Sequence, residues 1–401
     1  MQNSYVIIFI MKKRKNKFKV DRFILLSLLS LAAIILISYF SFYNEGPVVV
    51  SKVSERKNIV VYPSQYSDQH ITENAISTDE KFKNIVFFDN GSQIANTISA
   101  LPKPSLSKPQ PSEKGTWLWT PVLQITPEYM DSIISGAKNN GILNIYLSID
   151  SYLDIYTMDN GPEKDAAEKK FSGIIEKFIT LAHKNNITVD VEGGWRNWAE
   201  PGNFYKPYAL MDYALNYNLT HTEKIRGFQY DIEPYLLDNY EKNKESILKN
   251  FILLVHGSAK KLANSSLDLS VVIPDFYDKE SGQTPAFLYG GKSGYTFDHL
   301  LSVLENKPGS TILIMSYRNF SEGNDGSIDI SKNEVEEADE SNTRIVIAQE
   351  TGEVSPTYLS FYNTSRTYYL KQMSSLEKAF SNDKSFGGIA THYINAYMEL
   401  H

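Results

Sequence analysis

Between Gly115 and His401, short apolar or β-branched runs alternate with longer amphipathic stretches, and the alternation repeats eight times. The runs are TWLWTP, ILNIYLSID, ITVDVEGG, IRGFQYDIE, LDLSVVIPD, TILIMSY, RIVIAQE and GGIATHY. Their length and composition read as strands. The segments between them, such as EKDAAEKKFSGIIEKFITLAHKNN and NKESILKNFILLVHGSAKKLAN, space apolar residues three and four apart, the period of a helix with one buried face. Strands alternating with helices predict right-handed βαβ units and a parallel sheet. Eight units over residues 115–401 predict a closed (β/α)8 TIM barrel rather than an open doubly wound sheet. No GxGxxG or GxxxxGKS/T loop follows any run, which argues against a nucleotide site.

Upstream the pattern changes. Phe23 to Tyr43, FILLSLLSLAAIILISYFSFY, is uncharged and matches the length of a bilayer-spanning helix. Lys12, Lys13, Arg14, Lys15, Lys17, Lys19 and Arg22 precede it, so the positive-inside rule places residues 1–22 in the cytoplasm and the remainder outside. The apolar run is long and no A-x-A-like site follows it, which favours a transmembrane signal anchor over a cleaved signal peptide. Residues 44–114 are polar and end in LPKPSLSKPQPSEK, a stalk closing in a semi-rigid linker. The expected organisation is a single-pass protein of the cell membrane with residues 115–401 as an extracellular barrel.

Composition narrows the chemistry. The 401 residues carry a formal charge of -7 and no cysteine, which excludes disulfides, thiolate metal sites and cysteine nucleophiles and gives no reason to expect nucleic acid. The 26 tyrosines, 20 phenylalanines and 4 tryptophans suit sugar rings as well as ordinary cores.

In such a barrel chemistry belongs at the carboxyl ends of the strands. Asp150 ends the second run; Glu192, followed by Gly193, Gly194 and Trp195, ends the third; Asp231 and Glu233 end the fourth. Asp275 ends the fifth, Tyr317 the sixth, Gln349 and Glu350 the seventh, and His392 with Tyr393 the eighth. Strand side chains alternate, so Gln229, Asp231 and Glu233 share one face. Two carboxylates held close resist joint ionisation, and the one that keeps its proton can act as a general acid on a glycosidic oxygen.

These residues resemble the chitinase-like glycoside hydrolases of family 18, as a divergent member. That family carries DxxDxDxE on its fourth strand, and RGFQYDIE keeps the last two acids as Asp231 and Glu233, with Arg226 and Gln229 at the first two positions. VEGGW keeps the paired glycines and tryptophan of the third-strand SxGG motif, with Val191 in place of serine. MSYR keeps Met315 and Tyr317 of MxYD, with Arg318 for the aspartate, and GGIATH keeps Gly387 and Gly388 with His392 where the family places a tryptophan floor. The resemblance implies that Glu233 protonates the leaving oxygen, that Asp231 orients a substrate N-acetyl group acting as nucleophile, and that Tyr317 hydrogen-bonds the same group. The implied partner is an extracellular or cell-wall polysaccharide containing N-acetylhexosamine.

IEP on the fourth strand also fits barrels in which a fourth-strand glutamate is the acid/base and a seventh-strand glutamate, here Glu350, is the nucleophile. Such retaining pairs stand about 5 to 5.5 Å apart. Trp117 and Trp119 share a face of the first run, as sugar platform or as core. Trp195 and Trp198 follow the third strand in a loop, where substrate contact is the favoured reading. Asp150 and Asp275 are candidate sugar-hydroxyl ligands or turn formers. Glu192 is a candidate because its glycine neighbours allow close backbone approach, and His392 is a proton-shuttle or hydroxyl-ligand candidate. With 7 histidines and no HExxH or His-x-His spacing, no zinc site is expected, and acid/base cleavage implies no cofactor. The run EVEEADE reads as a solvated helix face. The rival function is a barrel that has lost activity and serves as a glycan-binding or scaffold protein, which the replaced motif positions make realistic.

Overall fold

The structure is a computed structural model that describes residues 113–401; the basic segment, the apolar stretch Phe23–Tyr43 and the linker up to residue 112 lie outside the described residues. Among the described residues no helix is long and apolar enough to cross a membrane.

Ten strands follow in chain order: β1 Glu113–Leu118, β2 Asn144–Ser148, β3 Thr188–Gly193, β4 Gly227–Tyr230, β5 Asp268–Pro274, β6 Phe287–Tyr289, β7 Lys292–Gly294, β8 Thr311–Met315, β9 Arg344–Glu350 and β10 Phe386–His392. Eight of them close into a barrel in the order β1-β10-β9-β8-β5-β4-β3-β2, and every pairing around it is parallel. These are the eight runs read from the sequence. The barrel expectation therefore stands, and the alternation explains it: each strand needs a crossover helix to return in parallel.

The helices form where the apolar spacing placed them. Pro162–Lys184 and Tyr240–Leu262 bury stripes such as Phe171, Ile175, Phe178 and Ile179 against the outside of the sheet. The helix Pro127–Asn139 starts where the Thr126 hydroxyl accepts from the Tyr129 N–H and proline occupies the first turn. The main core lies between helices and barrel, and a second cluster of Trp117, Tyr146, Val272, Leu313, Val346, Ala348 and Ala390 fills the lumen.

Four departures from the sequence reading have physical causes. β1 begins inside the linker, because Glu113 and Lys114 pair through their backbones with Gly388 and Ile389; their polar side chains hid the strand. β4 is shorter than IRGFQYDIE, since the chain turns at Glu233 and Pro234 has no N–H to give a ladder. The antiparallel hairpin of β6 and β7 is an insertion between β5 and the helix Thr296–Leu304, too short to leave a periodic signal. The acidic run is not wholly solvated: Glu334, on the helix Lys332–Ala338, is 1% exposed and neither carboxylate oxygen makes a well-formed hydrogen bond. Burial, with Asp278 next, pushes its carboxyl up to about 9.

Candidate active site

The site is built where β3 and β4 end. Asp231 lies one residue past β4, yet its N–H still donates to the Gly193 carbonyl at 3.2 Å. That contact brings the two chains so close that a Cβ on Gly194 would sit 1.7 Å from the Asp231 carbonyl oxygen. A Cβ on Gly193 would meet Leu210 at 2.5 Å and Asp150 Oδ1 at 2.7 Å. The paired glycines are thus a steric requirement of two acids approaching from neighbouring strands.

Asp150, Glu192, Asp231 and Glu233 form one acidic group. Burial first, then Glu233, pushes the Asp231 carboxyl up to about 7. A charged His392 would oppose this, but only when protonated. The Trp119 indole N–H donates to His392 Nε2 at 2.8 Å, so that nitrogen is bare, and Nδ1 carries the proton toward Glu350 Oε2 at 2.6 Å. Asp150 is pushed up to about 7 by burial and by Asp231, against a hydrogen bond from the Gly194 backbone. Glu192 is 0% exposed, and burial with Asp150 and Asp231 beside it holds its carboxyl well above the usual range. Ser148 is close enough to oppose that shift, although neither Glu192 oxygen makes a well-formed hydrogen bond.

Glu233 is half-buried, and one of its oxygens accepts from the Tyr235 hydroxyl. Tyr235 in turn stands edge-on to Phe276 and Tyr277, which fix its ring. The sequence reading missed Tyr235; an aromatic two residues beyond a candidate acid was its only signal. Tyr317 is half-buried, and burial with Glu350, Asp231 and Glu233 near it raises its hydroxyl well above the usual range, so it is kept as a neutral donor. Its ring lies 6.3 Å from that of His392, which also faces Trp119 at 5.6 Å.

Other candidates have different surroundings. Glu350 is buried with both oxygens engaged, Oε1 by the Gly352 N–H at 2.6 Å and Oε2 by His392. A carboxylate so held orients an imidazole and is poorly placed to attack an anomeric carbon. Asp275 lies 3.5 Å from Arg318, which binds Asp325 at 2.7 Å and holds the β8 loop. Trp117 and Trp198 are buried core residues, whereas Trp195 is 57% exposed with Arg196 over its ring. The replaced motif positions are also occupied: Arg226 forks onto Asp190 at 2.8 and 2.7 Å, and Gln229 accepts from the Trp117 indole at 2.6 Å while its amide reaches Ser270 at 3.4 Å. A cavity of about 450 Å³ lies between the loops after β8 and β9, lined among others by Asn319, Glu353 and Tyr362, and includes none of the four acids.

No family model and no curated protein sequence matches the chain. Solved structures of similar shape include a GH18 chitinase from Pseudoalteromonas aurantia, 13% identical over 70% of this chain and 94% of that one, with a TM-score of 0.42. A β-glucosidase from Thermotoga maritima is 13% identical over 73% and 89% of the two chains, with a TM-score of 0.47. A D-psicose 3-epimerase from Clostridium cellulolyticum H10 is 9% identical over 70% and 84%, with a TM-score of 0.39. Barrels host unrelated chemistries, so the functional reading rests on the site itself.

Proposed function

We propose that the protein is a glycoside hydrolase of the cell surface that cleaves a polysaccharide containing N-acetylhexosamine. The observation that carries this reading is the pairing of two half-buried acids, Glu233 and Asp231, at the carboxyl end of β4, with the Asp231 carboxyl pushed up to about 7 by burial and by Glu233 beside it. In this reading Glu233 gives its proton to the leaving oxygen. Asp231 accepts from the N–H of the substrate's acetamido group, so that the acetamido oxygen attacks the anomeric carbon in place of an enzyme nucleophile. Tyr317 supplies a neutral hydroxyl to that same group, and water then opens the cyclic intermediate with Glu233 acting as base. Trp119 and His392 form an aromatic wall, and Trp195 an exposed flat face for a neighbouring sugar. The full engagement of Glu350 favours this substrate-assisted route over a Glu350 nucleophile.

Export belongs to the same proposal. Phe23–Tyr43 anchors the chain, and residues 1–22 remain in the cytoplasm. The test is release of reducing ends from an N-acetylated polymer and from its deacetylated form by the purified protein, with Glu233→Gln alongside. The reading requires cleavage of the acetylated polymer only, and loss of it in the variant. Cleavage of both polymers alike would overturn the assisted step.

A second reading has its own support. The motif positions Arg226 and Gln229 are spent on Asp190 and Trp117, as expected of a barrel that binds glycan without cleaving it. Retention on immobilised polymer without release of reducing ends would favour it.

A further inference from the structure

The mechanism above leaves two carboxyls of the acidic group without a task, Asp150 and the fully buried Glu192. Glu192 is the deeper of the two. It stands in the lumen in register with Ser148 on β2 and Gln229 on β4, beneath the turns that carry Asp150 and Asp231. Gln229 places its oxygen on the Trp117 indole and one amide hydrogen toward Ser270, and no hydrogen bond joins it to Glu192. Four buried oxygens of this group lack a well-formed hydrogen bond, even with the Ser148 hydroxyl near Glu192: both of Glu192, Oδ1 of Asp150 and Oδ1 of Asp231. Ionised carboxylates only accept, so such a group is satisfied by protons, and a single carboxylic acid among them becomes a donor to its neighbours. A cation is the other way to satisfy acceptors, but no group of three such side chains among the described residues has the geometry to hold a metal ion.

We propose that Glu192 is a positioning residue that keeps a proton between itself, Asp150 and Asp231, and so holds Asp231 in place where the β4 neighbour Gln229 cannot. The proton is retained on the cluster and is not passed to substrate. The titratable groups facing Glu192 are Asp150 from the end of β2 and Asp231 from the end of β4; Glu233 and His392 reach it only through Asp231. The proposal deepens the hydrolase reading and rests on it for the role of Asp231, whereas the shared proton itself does not need that reading.

Two variants test it in the full-length protein. In Glu192→Gln the amide donates permanently but cannot titrate, so at the pH optimum activity stays within about tenfold of wild type and the alkaline limb of the kcat/KM profile moves to higher pH. In Glu192→Leu the donor is lost and kcat falls about a hundredfold, as when a single active-site donor is removed, with KM changing less. The activity-independent measurement is the pH dependence of the urea midpoint, which counts protons taken up on folding. Near pH 6 wild type takes up more protons than Glu192→Gln, by close to one. Equal proton uptake in the two proteins overturns the shared proton whether or not any polymer is cleaved. Equal proton uptake with a shifted pH profile also overturns it, whereas unequal uptake with unchanged profiles keeps the proton and overturns the positioning role. Should the leucine variant fail to fold, the near-isosteric glutamine variant decides alone.

Discussion

Replacing Gly194 with alanine asks whether the contact between the ends of β3 and β4 fixes the candidate acid. The added Cβ would lie 1.7 Å from the Asp231 carbonyl oxygen, 2.3 Å from its carbonyl carbon and 2.8 Å from its Cα. Non-bonded carbon contacts settle at about 3.5 to 4 Å, so the two chains must part by more than about 1 Å. No side chain can give way, because every atom in the clash is backbone. The Asp231 N–H bond to Gly193, already 3.2 Å, is then lost at a cost of about 1 kcal/mol. Overpacking adds about 1 to 3 kcal/mol, for a total of about 2 to 4. Displacing Asp231 by about 1 Å lowers kcat about a hundredfold. Urea unfolding followed by tryptophan fluorescence measures the first quantity, and hydrolysis of the acetylated polymer the second. Gly202→Ala is the control: its Cβ meets nothing within 4 Å, and a change within about 0.5 kcal/mol is expected. If Gly194→Ala costs no more than the control, the close approach does not hold the acids and the steric account of the glycine pair fails.

Glu233→Gln should lower kcat about 100- to 10,000-fold with little change in the unfolding midpoint; an active variant refutes the acid assignment. Stability should fall as pH rises from about 4 to 7, because Asp150 and Asp231, pushed up to about 7 in the fold, keep protons that the unfolded chain has already lost. Asp231→Asn should flatten that slope, and an unchanged slope would place the proton elsewhere. Glu334→Leu should stabilise the fold by about 1 kcal/mol or more in urea, since both buried oxygens lack well-formed hydrogen bonds; destabilisation would show that the carboxyl is held by a donor.

How far the sequence reached depends on what each feature needs. The eight strands and their order were legible because a parallel barrel repeats one local pattern. The face shared by Gln229, Asp231 and Glu233 followed from strand alternation even though β4 stops at Tyr230. What stayed hidden was lateral: which residue on one strand meets which on the next depends on register and stagger. So the fork of Arg226 onto Asp190, the pairing of Gln229 with Trp117 and the hydrogen bonds holding Glu350 could not be read from any single run. Nor could the burial of Trp198, since a loop aromatic signals exposure only until its neighbours are known. Gly193 and Gly194 lie between these cases. Their presence was plain in the sequence, while the clash that demands the second of them lies with a residue 37 positions downstream, Asp231.

The same lateral logic bears on the missing half of the fourth-strand motif. An acid two residues before Asp231 on β4 would lie beneath it on the same face, and Gln229 at that position is neutral and already bonded. Its register partner across the ladder is Glu192 on β3. A carboxyl at that height in the lumen therefore stands on the neighbouring strand, and its electrostatic neighbours include Asp231. On the proposed reading, what this chemistry demands is a protonated carboxyl below the acetamido-binding acid, and the strand that supplies it is open to substitution. Read along β4 alone, the motif is half absent. Around the barrel four acids stand together, Asp150, Glu192, Asp231 and Glu233, drawn from three neighbouring strand ends.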